Sequence, residues 1–87
     1  MTPLTKESIA KFKAALPAEI RQYLTDRCIG ADMIDALDIG WMKHKQQDWI
    51  VFPIYDRNGD LLFLKLKRPP NAPGSQPKYR LQRANRA

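Results

Sequence analysis

An Asn-Gly pair set between two runs of strand-forming residues constrains this chain more than any other feature. Trp49-Ile50-Val51-Phe52-Pro53-Ile54-Tyr55 is rich in β-branched and aromatic residues; Asp56-Arg57-Asn58-Gly59-Asp60 follows, and Leu61 to Arg68 reads as the return strand. Asn and Gly both tolerate positive φ, which tight hairpin turns demand, so the two runs are expected to pair antiparallel. In the return strand Leu62, Leu64 and Leu66 alternate with Leu61, Phe63, Lys65 and Lys67. One face is therefore apolar throughout, and the other turns from apolar to basic along its length. Pro53 has no amide hydrogen, so its strand is expected to lie at an edge or to carry a bulge there.

Upstream of residue 41 the hydrophobic period is helical. Thr2-Pro3 and Thr5 offer helix starts, and Ile9, Phe12 and Leu16 recur on one stripe. Pro17 interrupts that helix and suits the first position of a second, with Glu19 near the positive end of its dipole. The second stripe is Leu16, Ile20, Tyr23 and Leu24, and Gly30 is expected to end it in a left-handed conformation. A short third helix is expected with Asp32 in its first turn, burying Met33, Ile34 and Leu37, with Gly40 as its stop.

Downstream of the hairpin, Pro69 to Pro77 holds four prolines and a glycine without apolar periodicity, which predicts a loop. Lys78-Tyr79-Arg80-Leu81 reads as a last short strand. The expected fold is α+β, with two to three N-terminal helices followed by a small antiparallel sheet of three to four strands. At 87 residues this is one small domain, helical over 1–40 and β over 41–81, with 82–87 a tail or a truncated connection.

Charge is divided as sharply as hydrophobic period. Residues 1–55 hold seven basic and seven acidic side chains, whereas residues 56–87 hold eight basic and two acidic, so the whole net charge of +6 lies in the last third. A balanced half joined to a basic half suggests a scaffold presenting one charged surface. Lys65, Lys67 and Arg68, then Lys78-Tyr79-Arg80, then Arg83 are the candidate nucleic-acid-binding residues. Lysine and arginine neutralise phosphates, and Tyr79 between two cations suits stacking on an unpaired base. A strand end and a second basic segment joined by a nine-residue loop can return side by side as one patch. No basic amphipathic helix or membrane-length apolar run stands in the sequence, so no membrane partner is expected. Met1 to Glu7 carries no signal-peptide core, and a lone thiol, Cys28, suits a reducing cytoplasm.

Catalytic and metal chemistry finds little support in the residues. His44, flanked by Lys43 and Lys45, is read as an exposed residue in a polar turn between Trp41 and Trp49. Cys28 is read as a small core or boundary residue at the end of the second helix. Asp56, Asn58 and Asp60 have the spacing that opens a calcium loop, but their flanks are strands and a hairpin turn explains them better. Asp32, Asp35 and Asp38 repeat at i+3, more often a solvated helix face than a cation site. No catalytic residues, no metal site and no cofactor are assigned to this chain.

With these residues in view, three segments resemble the bacterial DnaG-type primases and their phage relatives. Tyr23-Leu24-Thr25-Asp26-Arg27-Cys28-Ile29-Gly30, then Ile34, then Leu37-Asp38-Ile39-Gly40-Trp41 is similar to the family's Tyr-Leu-x-x-Arg-Gly-Leu, helix, aliphatic-Gly-aromatic order. Phe52-Pro53-Ile54-Tyr55-Asp56-Arg57-Asn58-Gly59, with its strand ending in Lys65-Leu66-Lys67-Arg68, is similar to the family's Phe-Pro-Ile-x-Asp-x-x-Gly and its following arginine. Pro77-Lys78-Tyr79 matches Pro-Lys-Tyr. The chain departs from the pattern at Cys28, where the family has glycine, at Lys65-Leu66-Lys67, where it reads Gly-Gly-Arg, and after Tyr79.

The resemblance implies the N-terminal subdomain of a primase polymerase core. That region precedes a Toprim subdomain whose carboxylates hold the catalytic magnesium. It lends a basic wall to the cleft for single-stranded template and RNA–DNA hybrid. Lys67 or Arg68, with Lys78, is then expected on that wall; strand alternation puts only one of the first two in the cleft. The short insert between Trp41 and Trp49 suggests a phage or mobile-element relative. Such a chain is expected to be a fragment or stand-alone derivative, unable to make primers alone. The competing expectation is a protein-interaction module, docking on a helicase or other replication partner through the neutral helical half with its acidic Asp32, Asp35 and Asp38. A folded spacer is the third.

Overall fold

A computed structural model describes residues 6–44, 46–70, 72 and 74–83. Three helices, α1 (Lys6–Ala15), α2 (Ala18–Asp26) and α3 (Ala31–Ala36), precede four strands, β1 (Gly40–His44), β2 (Gln47–Tyr55), β3 (Leu61–Lys67) and β4 (Tyr79–Arg83). The strands form an antiparallel sheet in the order β1-β2-β3-β4. The fold is α+β, as the change of hydrophobic period leads one to expect. The expected caps at Thr2 and Thr5 lie outside the described residues. Among the described residues no helix is long and apolar enough to cross a membrane.

Pro17 separates α1 from α2. It caps α2 from an extended conformation (φ −66°, ψ 149°), and its carbonyl accepts the Ile20 and Arg21 amides. The helix stops differ from expectation. Cys28, not Gly30, takes the left-handed conformation after α2 (φ 69°). The Ile29 amide returns to the Leu24 carbonyl at 2.9 Å and the Cys28 amide to Thr25 at 3.0 Å, which satisfies carbonyls left open by the helix end. Gly30 is extended and caps α3. The same device ends α3, with Asp38 left-handed (φ 57°) and the Ile39 amide on the Ile34 carbonyl at 3.1 Å. Gly40 is therefore not the stop but the first residue of β1. A Cβ there would sit 2.5 Å from the Phe12 carbonyl carbon, so its hydrogen side chain lets α1 lie directly against the strand.

The sheet is packed on both faces. Trp49, Ile50 and Val51 are all buried although neighbours in a strand point to opposite sides. Trp49 and Val51, with Leu64 and Leu66, meet Ile9 and Phe12 of α1. Ile50, with Trp41 and Phe52 beside it, meets Ile20 and Leu24 of α2 and Ile34 of α3. The third helix buries only Ile34; Met33 and Leu37, expected in the core, are 51% and 47% exposed.

Two strand details also depart from the expected pattern. The segment between Trp41 and Trp49, read as a polar turn, forms the β1–β2 hairpin, and His44 is half-buried at the strand end. Pro53 lies in an interior strand, but β1 stops opposite Val51 and leaves Pro53 unflanked on that side. A register shift follows at once between Ile54 and Tyr55, so that Tyr55 opposes Leu61 and Leu62 is the extra residue. The shift moves Leu61 onto the face of Leu64 and Leu66, where it packs against their cluster. In the turn, only Gly59 has positive φ (85°), and the Asp56 carboxylate accepts the Asn58 and Asp60 amides at 2.8 and 3.0 Å. That carboxylate shapes the turn, as the hairpin reading of the calcium-like spacing expected.

Candidate nucleic-acid interface

The end of β3 and the start of β4 are joined by the proline-rich loop and lie side by side. Lys67 opposes Tyr79, and one step beyond the strand the Arg68 amide donates to the Lys78 carbonyl at 2.9 Å. Gln76 anchors the loop. It is only 3% exposed, and its side-chain amide donates to the Asp48 carbonyl at 2.9 Å. The Arg68 guanidinium donates in turn to the Gln76 carbonyl at 3.0 Å. Nothing in the loop's composition singled out Gln76; a lone amide among prolines carries no sequence signal for burial.

On the face covered by α2, these segments border a concavity of about 330 Å³ lined by Tyr23, Arg27, Lys67, Arg68, Lys78 and Tyr79. Pro69 and Pro70 complete its rim. Four cations and two phenol rings therefore meet at one place, and among the described residues no carboxylate lines it. None of the four cations has an acidic partner among the described residues; the ion pairs there are Lys13–Asp38 and Arg21–Asp35. Both pairs lie in the helical half. The Arg27 guanidinium stacks 4.9 Å from the centre of the Tyr23 ring, which restrains it at the pocket wall.

The expected site residues are distributed as follows. Lys67, Arg68, Lys78 and Tyr79 line the concavity together. Alternation was expected to divide Lys67 from Arg68, but β3 ends at Lys67 and Arg68 has already left the pleat. Lys65 is exposed beside them, its ammonium 4.9 Å from the Tyr79 ring centre. Arg80 is apart: it opposes Leu66, so the pleat directs it to the α1 side of the sheet. Arg83 opposes Phe63 in the β4 register, and its side chain lies outside the described residues. Tyr23 and Arg27 belong to the pocket but were not among the residues expected there. Their charge and aromatic character sit well upstream of the basic third, and only the helix-to-sheet packing brings them to it.

Other expected chemistry resolves into structure. Asp38 lies beyond the end of α3, not on a face shared with Asp32 and Asp35. Its carboxylate accepts from Lys13 Nζ at 3.0 Å and from the Tyr55 hydroxyl at 2.8 Å, tying α1, the α3 exit and β2 together. Burial works against the Asp38 charge, but the Lys13 and Tyr55 hydrogen bonds outweigh it and lower the carboxyl below its ordinary range. Burial and the same carboxylate push Tyr55 up to about 12. Asp35 pairs with Arg21. Cys28 is exposed rather than a core or boundary residue. Among the described residues, no group of three metal-ligating side chains gathers.

Compared with known proteins, the chain matches no family model, no curated sequence and no solved structure.

Proposed function

We propose that this chain is a nucleic-acid-binding subdomain of a primase-like polymerase core, contributing a basic wall for single-stranded template or RNA–DNA hybrid and not catalytic by itself. The observation that carries the reading is the convergence of Arg27, Lys67, Arg68 and Lys78 with Tyr23 and Tyr79 at one concavity that no carboxylate lines among the described residues. Cations of this density neutralise phosphates, and an exposed tyrosine beside them offers a stacking plane worth about 1–3 kcal/mol per base. The resemblance to DnaG-type primases is supported by one backbone detail: the family's glycine position is Cys28 here, and Cys28 is left-handed. In this reading a Toprim subdomain supplies the magnesium site, a helicase is a further partner, and the setting is the cytoplasm of a phage- or mobile-element-bearing cell.

Fluorescence anisotropy with single-stranded, hybrid and duplex oligonucleotides tests the reading. The unpaired strand and the hybrid are expected to bind more tightly than duplex DNA, with affinity falling steeply with salt. Each single-strand phosphate contact contributes a log–log slope of about −0.7, so Lys67→Ala with Lys78→Ala should flatten the slope by about 1.4. An unchanged slope would remove the proposed wall.

A second reading has an observation of its own. Met33 and Leu37 are exposed apolar side chains on the helical half, which favours docking on a protein partner. Chemical-shift changes confined to residues 5–40 on adding a candidate helicase would support it; changes at 57–83 on adding oligonucleotide would support the first.

A further inference from the structure

The pocket at the end of β3 differs from the open sheet beside it. On the same face, α2 and α3 cover β1 and β2, whereas Tyr79 and Leu81 of β4 are 51% and 64% exposed. Lys65 and Lys67 lie on this open half, two residues and so about 6.8 Å apart along β3. Beyond Lys67, Pro69 and Pro70 form the rim of the concavity, and the loop behind them is pinned by Gln76 to Asp48 and by Arg68 to Gln76. Tyr23 of α2 and Arg27, which caps its end, line the side toward the helices.

Charge points the same way. A bridging phosphodiester brings one negative charge to a pocket holding four cations. A terminal phosphate monoester brings nearly two, with three acceptor oxygens, because its second pKa is about 6. The guanidiniums of Arg27 and Arg68 suit those oxygens: each is held in place, one on the Tyr23 ring and one on the Gln76 carbonyl.

We infer that this concavity receives the phosphorylated end of a strand, with the adjoining nucleotides lying over Tyr79 and Leu81. The inference rests on the nucleic-acid reading above and adds to it a preference for a terminal monoester over an internal diester.

The test uses one oligothymidylate eight nucleotides long in three forms: 5′-phosphorylated, 3′-phosphorylated and unmodified. A nine-nucleotide unmodified oligomer controls for one added charge. Anisotropy at low salt should show at least tenfold tighter binding for one phosphorylated end, and which end it is identifies the strand polarity. The nine-nucleotide oligomer should gain less than twofold. Arg27→Ala and Lys78→Ala should each erase the monoester advantage while retaining the parent's thermal unfolding profile; Lys11→Ala, on exposed α1 surface, should preserve it. Equal binding of all three eight-nucleotide forms, or an equal gain from the ninth nucleotide, would overturn the terminal pocket and leave nucleic-acid binding standing. No binding of any oligomer would overturn both.

Discussion

Replacing Gly40 with alanine puts a methyl group where the backbone of α1 already lies. The added Cβ would fall 2.5 Å from the Phe12 carbonyl carbon and 2.7 Å from both its Cβ and its carbonyl oxygen. Carbon atoms rest about 3.5–4.0 Å apart, so α1 or the start of β1 must retreat by about an ångström. No rotamer change relieves a clash with main chain. The retreating helix carries Ile9 and Phe12, which fill the cluster with Trp49, Val51, Leu64 and Leu66. Overpacking of this kind costs about 1–3 kcal/mol, and alanine's advantage over glycine within a strand returns about 0.5–1 kcal/mol. Because the clash is with main chain, the cost falls at the upper end of that range, and the net expectation is a loss of about 2 kcal/mol, or about 8–16 °C in Tm for a domain of this size. Urea unfolding followed by tryptophan fluorescence reads it as a lower midpoint at unchanged slope. Gly74→Ala is the control: nothing lies within 4 Å of its added Cβ and its φ is not left-handed, so a change of about 0 to +1 kcal/mol is expected. A Gly40→Ala protein within 0.5 kcal/mol of the parent, roughly the scatter of a surface substitution, would refute the close approach of α1 to β1.

Cys28→Gly should act in the opposite direction. It relieves a non-glycine residue at φ 69° and should stabilise by up to about 1 kcal/mol, visible as a Tm rise of a few degrees. Gln76→Ala removes a buried donor and leaves the Asp48 carbonyl without it, at a cost of about 1–3 kcal/mol; by freeing the loop it should also weaken oligonucleotide binding in the anisotropy assay. Stability should depend on pH through the Lys13–Asp38–Tyr55 cluster. Asp38 is lowered in the fold, so its contribution is present above the ordinary carboxylate range and is lost as pH falls through its lowered value. Tyr55 is raised from 10.0 to about 12, so its contribution is complete below pH 10 and is lost between there and pH 12. Asp38→Asn should flatten the acid limb of a stability–pH curve and Tyr55→Phe the alkaline limb; wild-type limbs in both variants would exclude the cluster as their cause.

Much of the fold was legible because local chemistry and burial agree. The Ile9-Phe12-Leu16 and Ile20-Leu24 stripes, the Pro17 break and the Asn58-Gly59 turn each say the same thing at the level of residue and of packing. The misses share a physical origin as well. Cys28 and Asp38 adopt left-handed conformations that residue preference assigns to glycine, because the returning amides of Ile29 and Ile39 outweigh the local strain. The β1–β2 hairpin turns through Gln46 at φ 63° without a glycine, and its strand β1 shows no clear alternation. The bulge at Leu62 is invisible to a count by twos, which therefore placed Leu61 on the wrong face. At the pocket, the basic residues of β3 and β4 were readable from charge segregation. Arg27 and Tyr23 were not, since their proximity is a product of tertiary packing.

The location of the open basic surface follows from how far the helices can reach. A helix is about 10 Å across and strands repeat about every 4.8 Å, so α2, flanked by the short α3, covers about two strands of four. It covers Trp41, Ile50 and Phe52, on β1 and β2. Residues on the same face of β3 and β4 are left to solvent, and there the sequence places Lys65, Lys67, Tyr79 and Leu81. The opposite face of β3, under α1, remains leucine at 64 and 66. Acidic side chains that would neutralise the surface are held elsewhere: Asp35 by Arg21, Asp38 by Lys13 and Tyr55, and Asp56 by its own turn. The basic excess is therefore concentrated at the edge where helix cover stops, and Arg27 at the end of α2 adds to it from the helical side. An anion entering that edge meets cations from both layers of the fold, whereas one approaching the α1 face meets Arg80 without the Arg27, Lys67, Arg68 and Lys78 cluster.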